Sequence, residues 1–267
     1  MKLPIALAFS LLFVWNPLWA QDLHTRHRSL PELNKKFSIV AHLVRDTFGN
    51  VGPFEANIQN NVDTLNAYFA PIGVSFEVCE YKIIDNFQYN ILDDFNLWNE
   101  MQVKFHEENR INVFFVQEIL WVPFDCGFTS FGGITDPDAG GIIMKKGCTL
   151  AGSKALTHEM GHFFGLLDTF QDNGAELVNG DNCESEGDLI CDTPADPYTL
   201  GVTLNLYLDL AIPCRFIFSG TDANGEFYTP DVGNMMSYYP DNCRCGFSYQ
   251  QYVNMANLYL NAEEKIW

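Results

Sequence analysis

One segment, HEMGHFFGLLD from His158 to Asp168, constrains this chain more than any other, because it spaces potential metal ligands as a catalytic zinc site requires. His158 and His162 are four residues apart, so on a helix they share one face. Glu159 lies about 100° around that helix, within reach of a water on the metal. Gly165 lets the backbone turn, so that Asp168 approaches from another direction. The spacing predicts zinc bound by His158, His162 and Asp168, with Glu159 as general base for peptide hydrolysis.

The apolar residues of the same segment predict the element that carries it. Leu156, Met160, Phe163 and Leu167 recur at helical spacing and lie opposite the two histidines. We therefore expect a helix over 153–167 with a buried back and a polar His/Glu face. Histidines on helices are often structural, but packing alone does not explain this polar face.

Composition predicts one sizeable core with room for two subdomains, since 47% of the 267 residues are hydrophobic. The N-terminal segment indicates that the protein is exported. Residues 1–20 begin with Lys2, continue through an apolar stretch and end at Ala20, which is typical of a secretory signal peptide cleaved near Ala20. Residues 21–34 are polar and predict a leader segment. The mature protein is thus expected to be secreted, either extracellular or periplasmic, with its eight cysteines in disulfides.

The charge is strongly negative and unevenly distributed. A net charge of −19 argues against nucleic acid or an anionic membrane as partner. Between residues 155 and 214 there is no Lys or Arg, whereas carboxylates accumulate at Asp172, Glu176, Asp181, Glu184, Glu186, Asp188, Asp192 and Asp196. Such a turn-rich acidic stretch suits a structural calcium ion, and a merely solvated acidic loop is the alternative.

The remaining patterns predict an α/β (α+β) fold with a mixed sheet. β-type runs at 37–44, 73–78 and 111–116 predict strands. Helical spacing covers 53–68, and a closing helix is expected at 247–261, where Ser248 and Gln251 form a capping box. Strand, helix, strand, strand, helix in this order favours layered α/β architecture.

Together these motifs resemble the metzincin zinc peptidases, whose pattern is HExxHxxGxxH followed by a methionine turn. Asn234-Met235-Met236-Ser237-Tyr238 is similar to that turn. The stretch GDLICDTP at 187–194, and Cys243 followed by Phe247-Ser248, resemble the pappalysin branch more narrowly. The resemblance covers about residues 35–267. It implies an upper subdomain over about 35–166 with a twisted mixed sheet, an irregular, disulfide-linked lower subdomain over about 167–267, and a cleft between them.

The resemblance also implies roles for individual residues. Met236 would lie beneath the metal, and the hydroxyl of Tyr238 would stabilise the oxyanion of the tetrahedral intermediate. Gly141 to Met144 would form the edge strand that pairs with an extended protein or peptide substrate. The disulfides implied by the family are Cys183–Cys214 and Cys191–Cys243, and we expect the other four cysteines to pair as Cys126–Cys148 and Cys79–Cys245.

The chain departs from the family pattern at Asp168, which replaces the usual third histidine. Aspartate is a competent zinc ligand, but its negative charge makes the catalytic water less acidic, so we expect a higher optimal pH or a weaker enzyme than three-histidine relatives. Two alternatives remain open: a secreted non-catalytic zinc-binding or protein-binding module with a degenerate site, and a zinc hydrolase of non-peptide amides. The intact Glu159 favours an enzyme, and the candidate edge strand favours peptides.

Overall fold

A computed structural model describes residues 29–53, 55–123 and 125–267; the predicted signal peptide and the first eight residues of the predicted leader lie outside the described residues. A five-stranded sheet forms the centre of the fold. Its strands are β1 (Lys35–Val44), β2 (Val74–Ile84), β4 (Ile111–Val116), β6 (Gly127–Thr129) and β7 (Gly141–Lys145). Their order across the sheet is β2-β1-β4-β7-β6. Strands β2, β1, β4 and β7 are parallel and β6 is antiparallel to β7, so the predicted mixed sheet is confirmed.

The central strands are apolar throughout because both faces of the sheet are covered. In β4, Ile111, Val113 and Phe115 belong to one buried cluster, whereas Phe114 and Val116 belong to the cluster on the opposite face. Side chains alternate along a strand, so a strand buried on both sides reads as a continuous hydrophobic run.

Three helices cover one face of the sheet and one covers the other. Helices α1 (Glu55–Phe69), α3 (Ala155–Phe163) and α4 (Tyr249–Asn261) contribute to the larger cluster. Helix α4 begins with the predicted capping box: the Ser248 hydroxyl accepts from the Gln251 amide. Helix α2 (Phe95–Phe105) lies on the other face through Trp98 and Met101, near a second small parallel sheet of β3 (Ile91–Leu92) and β5 (Glu118–Ile119). Helix α2 was not predicted from the sequence.

The helix that carries the two histidines is shorter than the predicted 153–167. It ends at Phe163, and Gly165 then adopts a left-handed φ of 82°. Because glycine adopts this conformation at no steric cost, it ends the helix and redirects the chain. As a result Leu166 is buried, whereas Leu167 is only half-buried, on the wall of a cleft, instead of extending the apolar back of the helix.

The strand expected at the edge of the sheet is not the edge. Gly141 to Met144 lie in β7, which is paired on both sides, with β4 and with β6. The strand at this edge of the sheet is β6, which precedes β7 in the chain and pairs antiparallel with it; β2 forms the opposite edge. Alternation cannot predict a three-residue strand that is formed only by pairing with a later segment.

The disulfides agree with one of the four expected pairings. Cys126–Cys148 is confirmed. The pairings Cys183–Cys214 and Cys191–Cys243 are wrong, because the bonds formed are Cys183–Cys191 and Cys214–Cys243. Gly187 and Leu189 both have positive φ and reverse the chain between Cys183 and Cys191, which brings these two cysteines together. Cys79–Cys245 is also wrong, since both cysteines are exposed and unbonded.

After α3 the chain is mostly irregular up to α4 and packs around a small aromatic cluster of its own, with Phe170, Tyr198, Tyr207, Leu208 and Tyr239 buried in it. Among the residues that the structure describes, no helix is long and apolar enough to cross a bilayer.

Candidate metal centre

The structure brings the three predicted ligands together at the C-terminal end of α3. The Nε2 atoms of His158 and His162 are 3.1 Å apart, and Asp168 Oδ1 lies 3.2 Å and 3.4 Å from them. Within the described part of the chain, no other group of three His, Cys, Asp or Glu residues places its ligand atoms within 4.8 Å of one another. The three side chains therefore surround one point.

The hydrogen bonds around this point leave the ligand atoms free. Nδ1 of His158 donates to the Met235 carbonyl at 3.0 Å, and Nδ1 of His162 donates to the Leu166 carbonyl at 2.7 Å. Because each ring donates through Nδ1, the lone pair of each Nε2 faces the other ring and Asp168. Asp168 Oδ1 is buried and has no hydrogen-bond partner. Two imidazole Nε2 atoms and an orphaned carboxylate oxygen are a donor set that fits zinc.

The electrostatics of these three side chains also favour a bound cation. Burial alone would lower the pKa of His162, but the Asp168 carboxylate overcomes this effect and raises that pKa to about 9. Burial likewise opposes ionisation of Asp168, yet the two imidazoles hold its pKa well below the usual range. The site is thus a buried negative centre that stabilises positive charge next to it.

Glu159 is held in place by the edge strand. Its side chain is buried, and its Oε2 accepts a hydrogen bond of 2.5 Å from the Thr129 hydroxyl. A side chain at Gly127 would lie 2.8 Å from the Glu159 carboxyl carbon, so only glycine allows this approach. Sequence reasoning missed Thr129 and Gly127, because they precede Glu159 by 30 or more residues and approach it only through the sheet.

The methionine turn packs against helix α3 next to His158. Met236 is fully buried, and a side chain at Gly161 would collide with its sulfur. The Tyr238 ring packs 5.4 Å from the His158 ring and 4.7 Å from that of Phe170, centroid to centroid. Burial, reinforced by nearby carboxylates including Asp168, raises the pKa of Tyr238 far above its usual value, so its hydroxyl remains a donor.

Two cavities flank the candidate centre. One of about 180 Å³ is lined by Asp125, His158, Glu159 and the segment after the methionine turn. The other, of about 260 Å³, is lined by the edge strand, His162 and Asp168. Asp125 borders both, and sequence reasoning missed it. Burial raises the pKa of its carboxyl, and the Glu159 carboxylate adds to this shift. The flanking cavities give the centre access to solvent on two sides.

Comparison with known proteins shows which peptidases the chain is similar to. A sequence profile of peptidase family M43, pregnancy-associated plasma protein-A, matches residues 139–259. Extracellular metalloproteases of Arthroderma benhamiae and Arthroderma gypseum are 27% and 26% identical to this chain, each over 82% of it and 70% of their own length. Mature mirolysin of Tannerella forsythia, solved with a cleaved peptide, shares the fold with a TM-score of 0.64 at 16% identity, covering 88% of this chain and 95% of mirolysin.

The chain is a metallopeptidase that is similar to the pappalysin branch of the metzincins. The expected resemblance, fold class and enzyme class are thereby confirmed. Similarity to the metzincins implies a zinc cofactor, and the donor set formed by His158, His162 and Asp168 fits that ion. The match to metallopeptidases favours an enzyme over the alternative of a non-catalytic binding module.

The acidic segment of this pappalysin-like chain contains two kinds of carboxylate. Asp192 and Asp196 are bound by protein donors: Asp192 accepts from the Ser248 hydroxyl and the Gln250 amide at the start of α4. Glu176, in contrast, is buried with one carboxylate oxygen unpartnered, and it packs against Gly187 beside Asp188. Burial, together with the Asp188 and Asp196 carboxylates, raises the pKa of Glu176 to about 8. Burial also raises the pKa of Asp188 to about 7, although the Thr193 hydroxyl acts against that rise.

Proposed function

We propose that this pappalysin-like peptidase is a secreted zinc-dependent endopeptidase in which His158, His162 and Asp168 bind the metal and Glu159 is the general base. The observation that carries the proposal is the convergence of two Nε2 atoms and one carboxylate oxygen within 3.4 Å, next to a buried glutamate. When bound, zinc lowers the pKa of a water molecule towards about 7 and polarises the scissile carbonyl. Mass-spectrometric mapping of cleavages in a mixed peptide library tests the proposal, and cleavage unaffected by a zinc chelator refutes it.

Glu159 is placed to move the proton that this reaction requires. Its carboxylate takes a proton from the attacking water and later delivers it to the leaving amine. The hydrogen bond from Thr129 fixes Oε2, so that the other oxygen remains available for the water. Because Thr129 belongs to the edge strand, the same element would position both the base and the substrate.

The edge strand β6 is our candidate for substrate binding. Phe128 and Thr129 line the 260 Å³ cavity together with His162, so a peptide lying along β6 would pass over the metal. An extended peptide can add a strand to an exposed sheet edge through main-chain hydrogen bonds. Mirolysin, the structural relative, was solved with a cleaved peptide, which supports a polypeptide substrate here.

Tyr238→Phe is expected to lower kcat by about 10²-fold, with little change in KM, because removal of one oxyanion donor affects the transition state and not substrate binding. Steady-state kinetics on a peptide found in the cleavage map measures this. Tyr207→Phe is the matched control, since Tyr207 is a buried aromatic of the same lower region that lies outside both cavities. Equal losses in the two variants would assign Tyr238 to packing.

Secretion is supported by the predicted signal peptide and by relatives that are named extracellular metalloproteases. We propose cleavage near Ala20, followed by the leader segment 21–34 and a catalytic domain over 35–267. Intact-mass analysis of the exported protein checks this, and a mass that retains residues 1–20 refutes it.

We further propose that Glu176 and Asp188 form the charged part of a structural calcium site. An orphaned buried oxygen on Glu176, next to a second buried carboxylate, lacks the positive charge or donor that burial demands. Calcium takes oxygen ligands from carboxylates, backbone carbonyls and water, so two carboxylates can be part of its shell.

Without divalent cations, we expect the Tm to fall as pH rises from 5 to about 8. The folded-state pKa is about 8 for Glu176 and about 7 for Asp188, whereas unfolded carboxyls titrate near about 4. Within that interval the folded state holds more protons than the unfolded state, so the free energy of unfolding decreases with rising pH. Calcium should raise the Tm more at pH 8 than at pH 6. Glu176→Gln should remove this response, and exposed Glu184→Gln should keep it; the same calcium response in both variants would refute the site.

A further inference from the structure

The buried carboxylate of Asp196 connects the two loops that carry the candidate active site. Its Oδ2 accepts a hydrogen bond of 2.8 Å from the Thr169 hydroxyl. Its Oδ1 accepts from the Tyr239 hydroxyl at 2.9 Å and from the Tyr198 amide at 3.1 Å. Only 2% of Asp196 is exposed, and both of its carboxylate oxygens accept hydrogen bonds from protein donors.

Two of these donors are sequence neighbours of active-site residues. Thr169 follows Asp168 directly, and Tyr239 follows Tyr238. The backbone adds a further connection, because the Thr169 amide donates to the Met236 carbonyl at 3.1 Å. The loop of the third ligand and the methionine turn are thus joined through Asp196 and through this backbone bond.

Asp196 differs from the other bound aspartate of the acidic segment. Asp192 caps the start of α4 through Ser248 and Gln250, none of which contacts a predicted ligand. Both aspartates stabilise the irregular region, but only Asp196 holds residues on both sides of the metal centre. A buried carboxylate costs free energy unless it is hydrogen-bonded, so its donors are held firmly.

We propose that Asp196 is a positioning residue that sets the distance between Asp168 and Tyr238 and so keeps the zinc-binding and oxyanion-binding groups in register. This inference rests on the proposed zinc peptidase function. Asp168 is the last ligand in the chain and stands in a loop without regular structure, so its oxygen has no helix to orient it. The hydrogen bond between Thr169 and Asp196 supplies that orientation. Loss of a group that orients a metal ligand typically lowers metal affinity or activity by about 10- to 100-fold.

The experiment compares Asp196→Ala and Thr169→Val with Thr169→Ser and Asp192→Asn. Zinc dissociation constants are measured by competition with a chromogenic chelator. The constants kcat and KM are measured on a peptide from the cleavage map. The Tm of each variant is used to choose an assay temperature at which all variants are folded. We expect Asp196→Ala and Thr169→Val to weaken zinc binding and to lower kcat, each by about 10- to 100-fold, with KM little changed. Thr169→Ser keeps the hydroxyl and should stay near the wild type. Asp192→Asn should lower the Tm without changing the zinc dissociation constant or kcat.

The outcomes separate this inference from the proposed function. A wild-type protein that binds no zinc and cleaves no peptide refutes the proposed function itself. The positioning role is refuted if the wild type binds zinc and cleaves peptide, but Asp196→Ala and Thr169→Val stay within twofold of its zinc dissociation constant and its kcat. Should Asp196→Ala fail to fold, the pair Thr169→Val and Thr169→Ser decides, because both differ from the wild type by a few atoms.

Discussion

Glu159→Gln is expected to lower kcat for peptide cleavage by about 10²- to 10⁴-fold while zinc stays bound, because an amide cannot accept the proton of the attacking water. The amide oxygen can still accept the Thr129 hydroxyl, so the helix and the edge strand keep their contact. Steady-state kinetics on a fluorogenic peptide and metal analysis of the same preparation measure the two effects.

The matched control for this variant is Glu184→Gln, which makes the same chemical change at an exposed position. It should cleave at the wild-type rate. Full activity of Glu159→Gln would contradict the general-base assignment. Loss of both zinc and activity would indicate instead that Glu159 supports the metal site.

Asp168→Ala is expected to weaken zinc binding by more than about 100-fold and to abolish cleavage in step with the lost metal. Loss of a residue that hydrogen-bonds to a metal ligand typically weakens metal binding by about 10- to 100-fold, so loss of the ligand itself should weaken it at least as much. The variant leaves two imidazoles at 3.1 Å without the anion that holds them together. A chelator competition assay measures the affinity, and an unchanged zinc dissociation constant would remove Asp168 from the ligand set.

Asp168→His serves as the restoring control, because it supplies the ligand found in three-histidine relatives. We expect zinc binding to return and the acidic limb of the pH–rate profile to move to lower pH. A neutral imidazole in place of a carboxylate makes the centre more positive, which lowers the pKa of the attacking water. An acidic limb that stays in place or moves to higher pH would contradict the expected effect of the aspartate.

Elements with long regular patterns were predictable from the sequence. β4 spans the predicted 111–116, and α1 and α4 start within two residues of the predicted bounds. Their apolar residues recur with the period of a strand or a helix, and the cap at Ser248 marks the start of α4. The family was also predictable, because its motifs lie in short stretches such as 158–168 and 234–238 whose residues need no distant partner to be recognised.

Features that depend on pairing between distant segments were not predictable in the same way. The edge strand β6 is three residues long and exists because β7 pairs with it. The partners of Cys183 and Cys191 depend on a local reversal of the chain at Gly187 and Leu189, whose backbone conformation no periodicity reveals. The spacing between cysteines in the sequence does not determine which cysteine pairs with Cys183 or with Cys191.

By itself, the sequence determined the class of chemistry and the elements that carry it, since helix periodicity places His158, Glu159 and His162 on one helical turn whatever surrounds them. Only the tertiary structure decided which groups support that turn. Thr129 reaches Glu159 from the sheet edge, and Asp196 reaches the neighbours of Asp168 and Tyr238 from the acidic segment. These contacts join residues about 27 to 43 positions apart, and such contacts form only when packing of the whole core offsets the entropy of closing long loops.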